Sequence, residues 1–191
     1  MPFHILDVQC FDLGAVESIK NNPKHQEISA IRYASPLSKS SAVDNLDVVI
    51  LGATQVDTQF NVNVHTKSNG IIMGGSGGHT DCAEGAKISM ILLPLIRKRT
   101  PMIVDRVNCI STPGNTVDLV VTQYGIAVNP LRKELKAKLK DGGLPILDIE
   151  ELKNKANSMT GIPEKLNLDD KIVGYVMSRR GQIQDELHKV K

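Results

Sequence analysis

NGIIMGGSGGHTDCAEGAKISMILLPL, residues 69–95, sets a strand end, a glycine loop and a polar helix start back to back, and the rest of the chain is organised around it. Ile71, Ile72 and Met73 read as the close of an apolar strand. Gly74, Gly75, Gly77 and Gly78 then surround Ser76, and only glycine lets successive backbone N–H groups turn toward a ligand with no Cβ in the way. His79, Thr80 and Asp81 begin a helix, with Thr80 or Asp81 placed to cap free N–H groups and Glu84 placed to favour the positive end of the dipole. Such a start attracts anions. Ile88 to Leu93 follow as an apolar run, too short to cross a membrane and ended by Pro94, which suits a strand covered on both faces.

A flexible surface turn is the plain alternative for the glycines. Their place between an apolar strand and a polar helix start favours a ligand-facing loop. Known phosphate loops do not fit. A Walker loop needs Gly-Lys-Ser/Thr where Gly78-His79 stands, and a dinucleotide loop needs a further glycine where Thr80 stands. Asp81 and Glu84, three apart on one helix face, could form an acid and base pair, although carboxylates in a first turn are common for dipole reasons alone.

The chain has 191 residues, of which 41% are hydrophobic, enough for one substantial core or two small ones. One domain spanning 1–191 is the expectation. The net charge is +2 without a basic stripe, and 3% aromatic residues with no Trp leave few base-stacking side chains, so nucleic acid is not an expected partner. Cys10, Cys82 and Cys109 are odd in number and lack a CxxC pair, which indicates neither a disulfide framework nor a zinc knuckle and fits a reducing cytoplasm. The opening MPFHILDVQC lacks a signal-peptide pattern, and no apolar run reaches the span of a bilayer. A cytoplasmic protein with no membrane contact and no metal is expected.

Elsewhere the pattern alternates strands and helices. Ile5 to Cys10 reads as a strand and Ala15 to Asn21 as a helix stopping before Pro23. Residues 35–45 include the loop SPLSKSS. Asp47 to Leu51 reads as a central strand, closed by Gly52 and Ala53 where a side chain would obstruct close backbone approach. Asn61 to His65 alternates as a half-buried strand that returns through Lys67 to Gly70 toward Ile71. Arg97-Lys98-Arg99 reads as a solvated turn with some capacity for an anion. Ile103 to Ile110 and Val117 to Thr122 are two more strands around the turn Thr112-Pro113-Gly114-Asn115. Arg132 to Lys140 is an amphipathic helix expected to pack on the sheet, and Leu144 to Leu147 another strand. Asp148 with Glu151 then starts a helix that Gly161 and Pro163 end. Ile172 to Met177 and Ile183 to Leu187 form a final hairpin within 170–191.

The blocks LDVVILGATQVDTQFNVNV, GGSGGHTDCAEGA and ISTPGNTVDLVVTQYGIAVNP, with the opening ILDVQCFDL, resemble the C-terminal half of the citrate lyase alpha chain family, the citrate and acyl-carrier-protein transferase subunits. The order LGA, QVD, GG, DL, VTQ is more distantly similar to family I coenzyme A transferases. The resemblance implies an α/β fold with a central, mostly parallel sheet flanked by helices, of the coenzyme A transferase type. It implies an exchange of acetyl for citryl on the thiol of an acyl carrier protein or coenzyme A, releasing acetate, before a separate lyase subunit acts. A glycine loop at a helix start suits the oxyanions of such an exchange.

In the wider transferase family a glutamate carries the acyl group, and its motif should fall near Ile5 to Asp12. Asp7 and Asp12 stand there, with Glu17 a little later; the exchange is direct, or an aspartate serves, or an upstream half supplies the group. Gly52, Ala53, Asn61, Gly74, Gly75, Ser76, Gly77, Gly78, His79 and Asp81 are the expected acyl and coenzyme A contacts. No tightly bound cofactor is expected beyond coenzyme A or a phosphopantetheine-type carrier group. Expected partners are the beta (lyase) and gamma (acyl carrier) subunits, with either a missing N-terminal half or self-association to cover an apolar face. Arg32, Arg97, Arg106 and Arg132 are candidates for the citrate carboxylates. The competing reading is a non-catalytic assembly or pantetheine-binding domain. A sugar-phosphate isomerase of the same broad architecture has no specific motif support.

Overall fold

A computed structural model describes residues 4–6, 13–38 and 40–191. In chain order the elements are β1 (His4–Leu6), α1 (Leu13–Asn21), β2 (His25–Glu27), α2 (Ala30–Ala34), a 3-10 turn (Ala42–Asn45), β3 (Val48–Leu51), β4 (Gln55–Asp57) and β5 (Val62–Asn63). They continue with α3 (His79–Gly85), β6 (Ile88–Leu92), β7 (Ile96–Arg97), β8 (Thr100–Pro101), β9 (Ile103–Val104), a second 3-10 turn (Gly114–Thr116), β10 (Leu119–Thr122) and β11 (Gly125–Val128). Last come α4 (Lys133–Asp141), β12 (Ile146–Leu147), α5 (Ile149–Thr160), β13 (Leu168–Met177) and β14 (Ile183–Val190).

The central sheet has five strands in the order β12-β11-β10-β6-β3, parallel at every pairing except β10 with β11. Its register sets Leu51, Ile91, Val120, Ala127 and Leu147 side by side in one row across all five strands. Ile91, Val120 and Ala127 in that row are fully buried in a core shared with Ile149, Leu152 and Ala156 of α5. A second cluster, Ala34, Val43 and Cys82, lies under Val49 and Leu51. Burying one such aliphatic side chain contributes about 1.5–3 kcal/mol, so this inner face dominates the stability of the sheet. A smaller sheet, β5-β4-β9, packs into the same core through Val56, Val62 and Ile103.

Several expectations change. β3 is an edge strand among the described residues, not a central one. The centre falls to β10, and its neighbour β6 is covered on one face only: Ser89 and Ile91 are buried while Leu92 is exposed. β5 is two residues long and buried on both sides, because Asn63 satisfies its amide internally through Thr66 and so needs no solvent. The strand expected over 103–110 stops at Val104. Helix α4 buries none of its residues, so its apolar positions lean on β12 instead of sitting in the core.

The elements with local signals are as expected. The Glu151 carboxylate accepts the Asp148 N–H at 2.7 Å, Gly161 ends α5 at φ 80°, and the final hairpin pairs β13 with β14 in antiparallel fashion. Ile71 to Met73 form no strand but an isolated antiparallel bridge, Thr66 to Ile72, in which the Lys67 N–H donates to the Ile71 carbonyl at 2.9 Å and the Met73 N–H to the His65 carbonyl at 2.7 Å.

Candidate functional site

The glycine loop lies beside the carboxyl end of β3, the end at which open parallel sheets present ligands. Gly74, Gly75 and Gly77 are exposed, and a Cβ built on any of them meets nothing within 4 Å. These positions therefore stand free of protein and open to a ligand. Gly77 holds φ +55°, a backbone that favours glycine. Among the described residues the amides of Gly74, Gly75 and Gly77 have no backbone acceptor within the chain.

His79 fixes the far end of this loop. It is buried, its Nε2 lies 2.8 Å from the Gly52 carbonyl, and its Nδ1 lies 2.8 Å from the Thr112 hydroxyl. A carbonyl only accepts, so Nε2 carries the proton. Burial holds the imidazole below the usual histidine range, against the opposing pull of the Gly52 carbonyl and with a smaller contribution from His65. Nδ1 of the neutral ring then accepts from Thr112. One side chain thus joins the strand β3 terminus, the loop and the Thr112 turn.

Thr80 and Asp81 do not cap α3. Gly78 occupies the N-cap without a side-chain bond, and the Thr80 hydroxyl donates instead to the Ser111 carbonyl at 2.5 Å. Ser111 in turn accepts the Val64 N–H at 2.9 Å and bonds the His65 ring. Thr112, Ser111 and His65 were not marked by the sequence reading. Ser111 and Thr112 stand directly before a Pro-Gly turn, where local pattern reads a turn, and only the fold buries them beside His79.

Asp81 is half-buried, and burial pushes its carboxyl up while Arg179 opposes that and Glu84 reinforces it. Glu84 is paired with Arg180 at 3.1 Å, so the two carboxylates face different surroundings. The role assigned to Gly52 as a point of close approach is not met, since a Cβ there meets nothing within 4 Å; its carbonyl accepts from the His79 ring. Ala53 packs against the core cluster. Asn61 is engaged at both ends of its amide, accepting the Gly114 N–H at 2.8 Å and donating to Asp57 at 3.1 Å. Asp7 and Asp12 lie outside the described residues, and Glu17 is exposed on α1.

Arg32, Arg97 and Arg106 are also exposed, and Arg132 is paired with Asp118 at the amino end of β10. A cleft of about 460 Å³ sits there, between Ile88, Asp118 and α4, at the opposite end of the sheet from the loop. Lys87 and Arg132 of its lining are paired with Asp47 and Asp118, while Lys133 and Lys138 leave it able to take an anion; the glycine loop differs in lying at the carboxyl ends of the strands, where open parallel sheets present ligands. No group of three metal-ligating side chains occurs among the described residues, and no helix there is long and apolar enough to cross a membrane.

These features define an α/β domain with a mostly parallel sheet and an anion-suited loop at its carboxyl end. The family described as "Citrate lyase, alpha subunit (CitF)" matches residues 3–190. The citrate lyase alpha chain of Escherichia coli is 48% identical over 187 residues, covering 98% of this chain and 37% of that one. That of Klebsiella pneumoniae is 46% identical with the same coverage. The crystal structure of a citrate lyase alpha subunit from Streptococcus mutans, in complex with citrate, is 49% identical with a TM-score of 0.87, covering 93% of this chain and 35% of that one. RipA from Yersinia pestis shares the fold at 21% identity and a TM-score of 0.50, over 76% of this chain and 34% of its own. The chain belongs to the citrate lyase alpha subunit family, and it spans 37% of the length of its curated relatives, less than the half expected from sequence.

Proposed function

We propose that this chain supplies the acyl-binding part of a citrate lyase alpha subunit, which exchanges acetyl for citryl on a carrier thiol in the cytoplasm. The observation that carries the reading is the exposed glycine loop, free of protein at Gly74, Gly75 and Gly77 and pinned by His79 to the Gly52 carbonyl. The citrate bound to the Streptococcus mutans relative supports a tricarboxylate as substrate.

In the exchange a citrate carboxylate oxygen attacks the acetyl thioester carbonyl. The thiolate leaves with the C–S electron pair, giving a mixed anhydride. The thiolate then attacks the citryl carbonyl, and acetate departs with the C–O pair. Each addition places negative charge on an oxygen, and loop amides at Gly74 to Gly78 are the donors to it, with the Asp81 helix turn behind them. The neutral His79 orients the loop and transfers no proton. Coenzyme A or the phosphopantetheine arm of a carrier protein holds the thiol, and the beta and gamma subunits are the partners. A covalent acyl carboxylate, if the route uses one, comes from Asp7, Asp12 or the remainder of the full-length chain.

The test is acyl exchange from acetyl-carrier to citrate with the remaining part of a family chain added back, for wild type and Gly77→Val. A β-branched residue resists the φ of +55° and fills the approach to the loop. A loss of about a hundredfold or more at an equal thermal midpoint is expected, the usual cost of an oxyanion donor. Equal rates would reject the loop assignment. Carrier binding without exchange in the reconstituted wild type would replace the transferase reading with that of an assembly domain.

A further inference from the structure

His65 is a half-buried residue that the exchange chemistry leaves unused, and it is tied to both ends of the glycine loop. Its carbonyl accepts the Met73 N–H at 2.7 Å, one residue before Gly74. Its ring bonds the Ser111 hydroxyl, and the next residue, Thr112, carries the hydroxyl that His79 bonds at the far end of the loop. The two imidazoles are close enough for His65 to act electrostatically on His79. The backbone at His65 is held as well: the Asn63 side-chain oxygen accepts its N–H at 3.1 Å and that of Thr66 at 3.0 Å. A polar group fixed in this way needs no reorganisation when charge develops beside it.

The hydrogen bonds also set the tautomer of the ring. The Ser111 hydroxyl oxygen accepts the Val64 N–H at 2.9 Å and, at 3.3 Å, a share of the His65 N–H, so its lone pairs are engaged and its own proton is left to donate. The Cys109 sulfur beside Ser111 is a weak acceptor, whereas a basic imidazole nitrogen is a strong one. Nδ1 of His65 therefore accepts from Ser111, and Nε2 carries the ring proton. Among the described residues Nε2 has no hydrogen-bond partner, and it is not among the buried polar atoms left unsatisfied, so it is open to solvent. Burial of the rest of the ring holds His65 below the usual histidine range and keeps it neutral at neutral pH. Protonation would also aim a new Nδ1–H at an oxygen that already takes two donors. The result is a neutral, oriented imidazole with one unspent N–H, the form in which histidine polarises a carbonyl.

We propose that His65 is a further catalytic residue, whose Nε2–H donates to the acyl oxygen of the thioester as negative charge gathers there, beside the loop amides. The proton stays on Nε2 throughout, and no bond to His65 forms or breaks. The role rests on the exchange reading, which it deepens by naming a side-chain donor for the oxyanion.

The test has a structural and a kinetic arm. NMR of the imidazole nitrogens in the histidine-labelled chain, assigned with His65→Gln, should show Nε2 protonated and Nδ1 bare at neutral pH; a protonated Nδ1 would overturn the proposal. In acyl exchange reconstituted with the remaining part of a family chain, His65→Ala should lower kcat about a hundredfold with KM for citrate within about threefold, and His65→Gln, whose amide restores an N–H donor, should recover about tenfold of that loss. Should His65→Ala fail to fold, His65→Phe carries the same comparison. An unchanged kcat would overturn the proposal, as would a His65→Gln chain no faster than His65→Ala, since the ring would then serve only to hold Ser111. If the reconstituted wild type shows no exchange, the exchange reading fails by itself: a shift of the Nε2 signal on adding acetyl-coenzyme A would still support the donor, and an unmoved signal would overturn it.

Discussion

His79→Ala is the perturbation that most directly tests whether one buried imidazole holds the site together. The ring makes two hydrogen bonds of 2.8 Å, to an exposed carbonyl at Gly52 and to the fully buried hydroxyl of Thr112. Water can reach Gly52 when the ring is gone. It cannot reach Thr112, which keeps only the Thr80 hydroxyl at 3.1 Å, itself committed to Ser111. Two net hydrogen bonds at about 1 kcal/mol each, with about 1 kcal/mol more for lost ring burial, give a destabilisation of about 3 kcal/mol. For a chain of this size each kcal/mol moves the midpoint by about 2–4 °C, so calorimetry at neutral pH should show a fall of about 6–12 °C.

The pH dependence separates this role from simple packing. Burial depresses the folded-state pKa of His79 below the ordinary histidine value of about 6.5. The unfolded chain therefore binds a proton before the folded one does. The stabilisation is present above about pH 6.5 and is lost as the pH falls from there toward the folded value, with a slope of at most about 1.4 kcal/mol per pH unit. His65, which burial also depresses, is present in both proteins, so only its small coupling to His79 enters the comparison. Stability curves of wild type and His79→Ala should converge as the pH drops from 7 to 5. Parallel curves would refute the neutral, buried imidazole, and an unchanged midpoint at pH 7 would refute the hydrogen-bond reasoning.

The remaining predictions concern packing and reactivity. At Gly114 a Cβ would stand 1.9 Å from the Gln59 carbonyl oxygen and 2.9 Å from the Phe60 carbonyl carbon, so Gly114→Ala must displace backbone; a loss of at least about 3 kcal/mol in denaturant titration is expected, whereas Gly74→Ala, with nothing within 4 Å, should stay within about 1 kcal/mol. The Cys109 thiol is pushed up to about 12, chiefly by burial and further by Asp185, so it should resist alkylation at pH 8 in the native protein and react on unfolding, as mass spectrometry of the labelled peptide would report.

Much of the fold was legible where a local chemical rule governs. Asp148 with Glu151, Gly161 at positive φ, and Arg179-Arg180-Gly181 at a hairpin tip each act within a few residues, and each element stands where its signal lies. The placement of β3 was not legible, because an apolar run of four residues reads alike in the centre or at the edge of a sheet. β11 escaped notice for a related reason: Gly125 opens it at φ +152° with the Leu147 side chain 2.7 Å from where a Cβ would lie, so its glycine marks close packing while looking like a turn. At the site the glycine loop and His79 were visible from composition and order. Thr112 was not, since it reads as the first residue of a turn, and only the fold brings it under the imidazole.

The final hairpin shows how far the loop's support is spread along the chain. At its tip the Arg179 guanidinium, only 5% exposed, donates to the Ala34 carbonyl at 2.8 Å and to Asp44 at 3.2 Å, while Arg180 reaches Glu84 on α3 at 3.1 Å. Arg180 is largely exposed, and a pair of that kind contributes little. Arg179 is the stronger tie, because its guanidinium is buried while Asp44 is about half exposed, and loss of its acceptors would leave a buried charge uncompensated. Along the stem, Asp185 accepts the Ile110 N–H at 2.6 Å and the Gln184 amide donates to the Ser111 carbonyl at 2.8 Å. The hairpin therefore bonds α2, the 3-10 turn and α3 at one end and the segment before Thr112 at the other. Of these, α3 carries His79, and the segment before Thr112 leads to the hydroxyl that His79 bonds. The geometry of the glycine loop thus rests on residues about 100 positions further along the sequence, which a reading by local pattern places in a separate appendage.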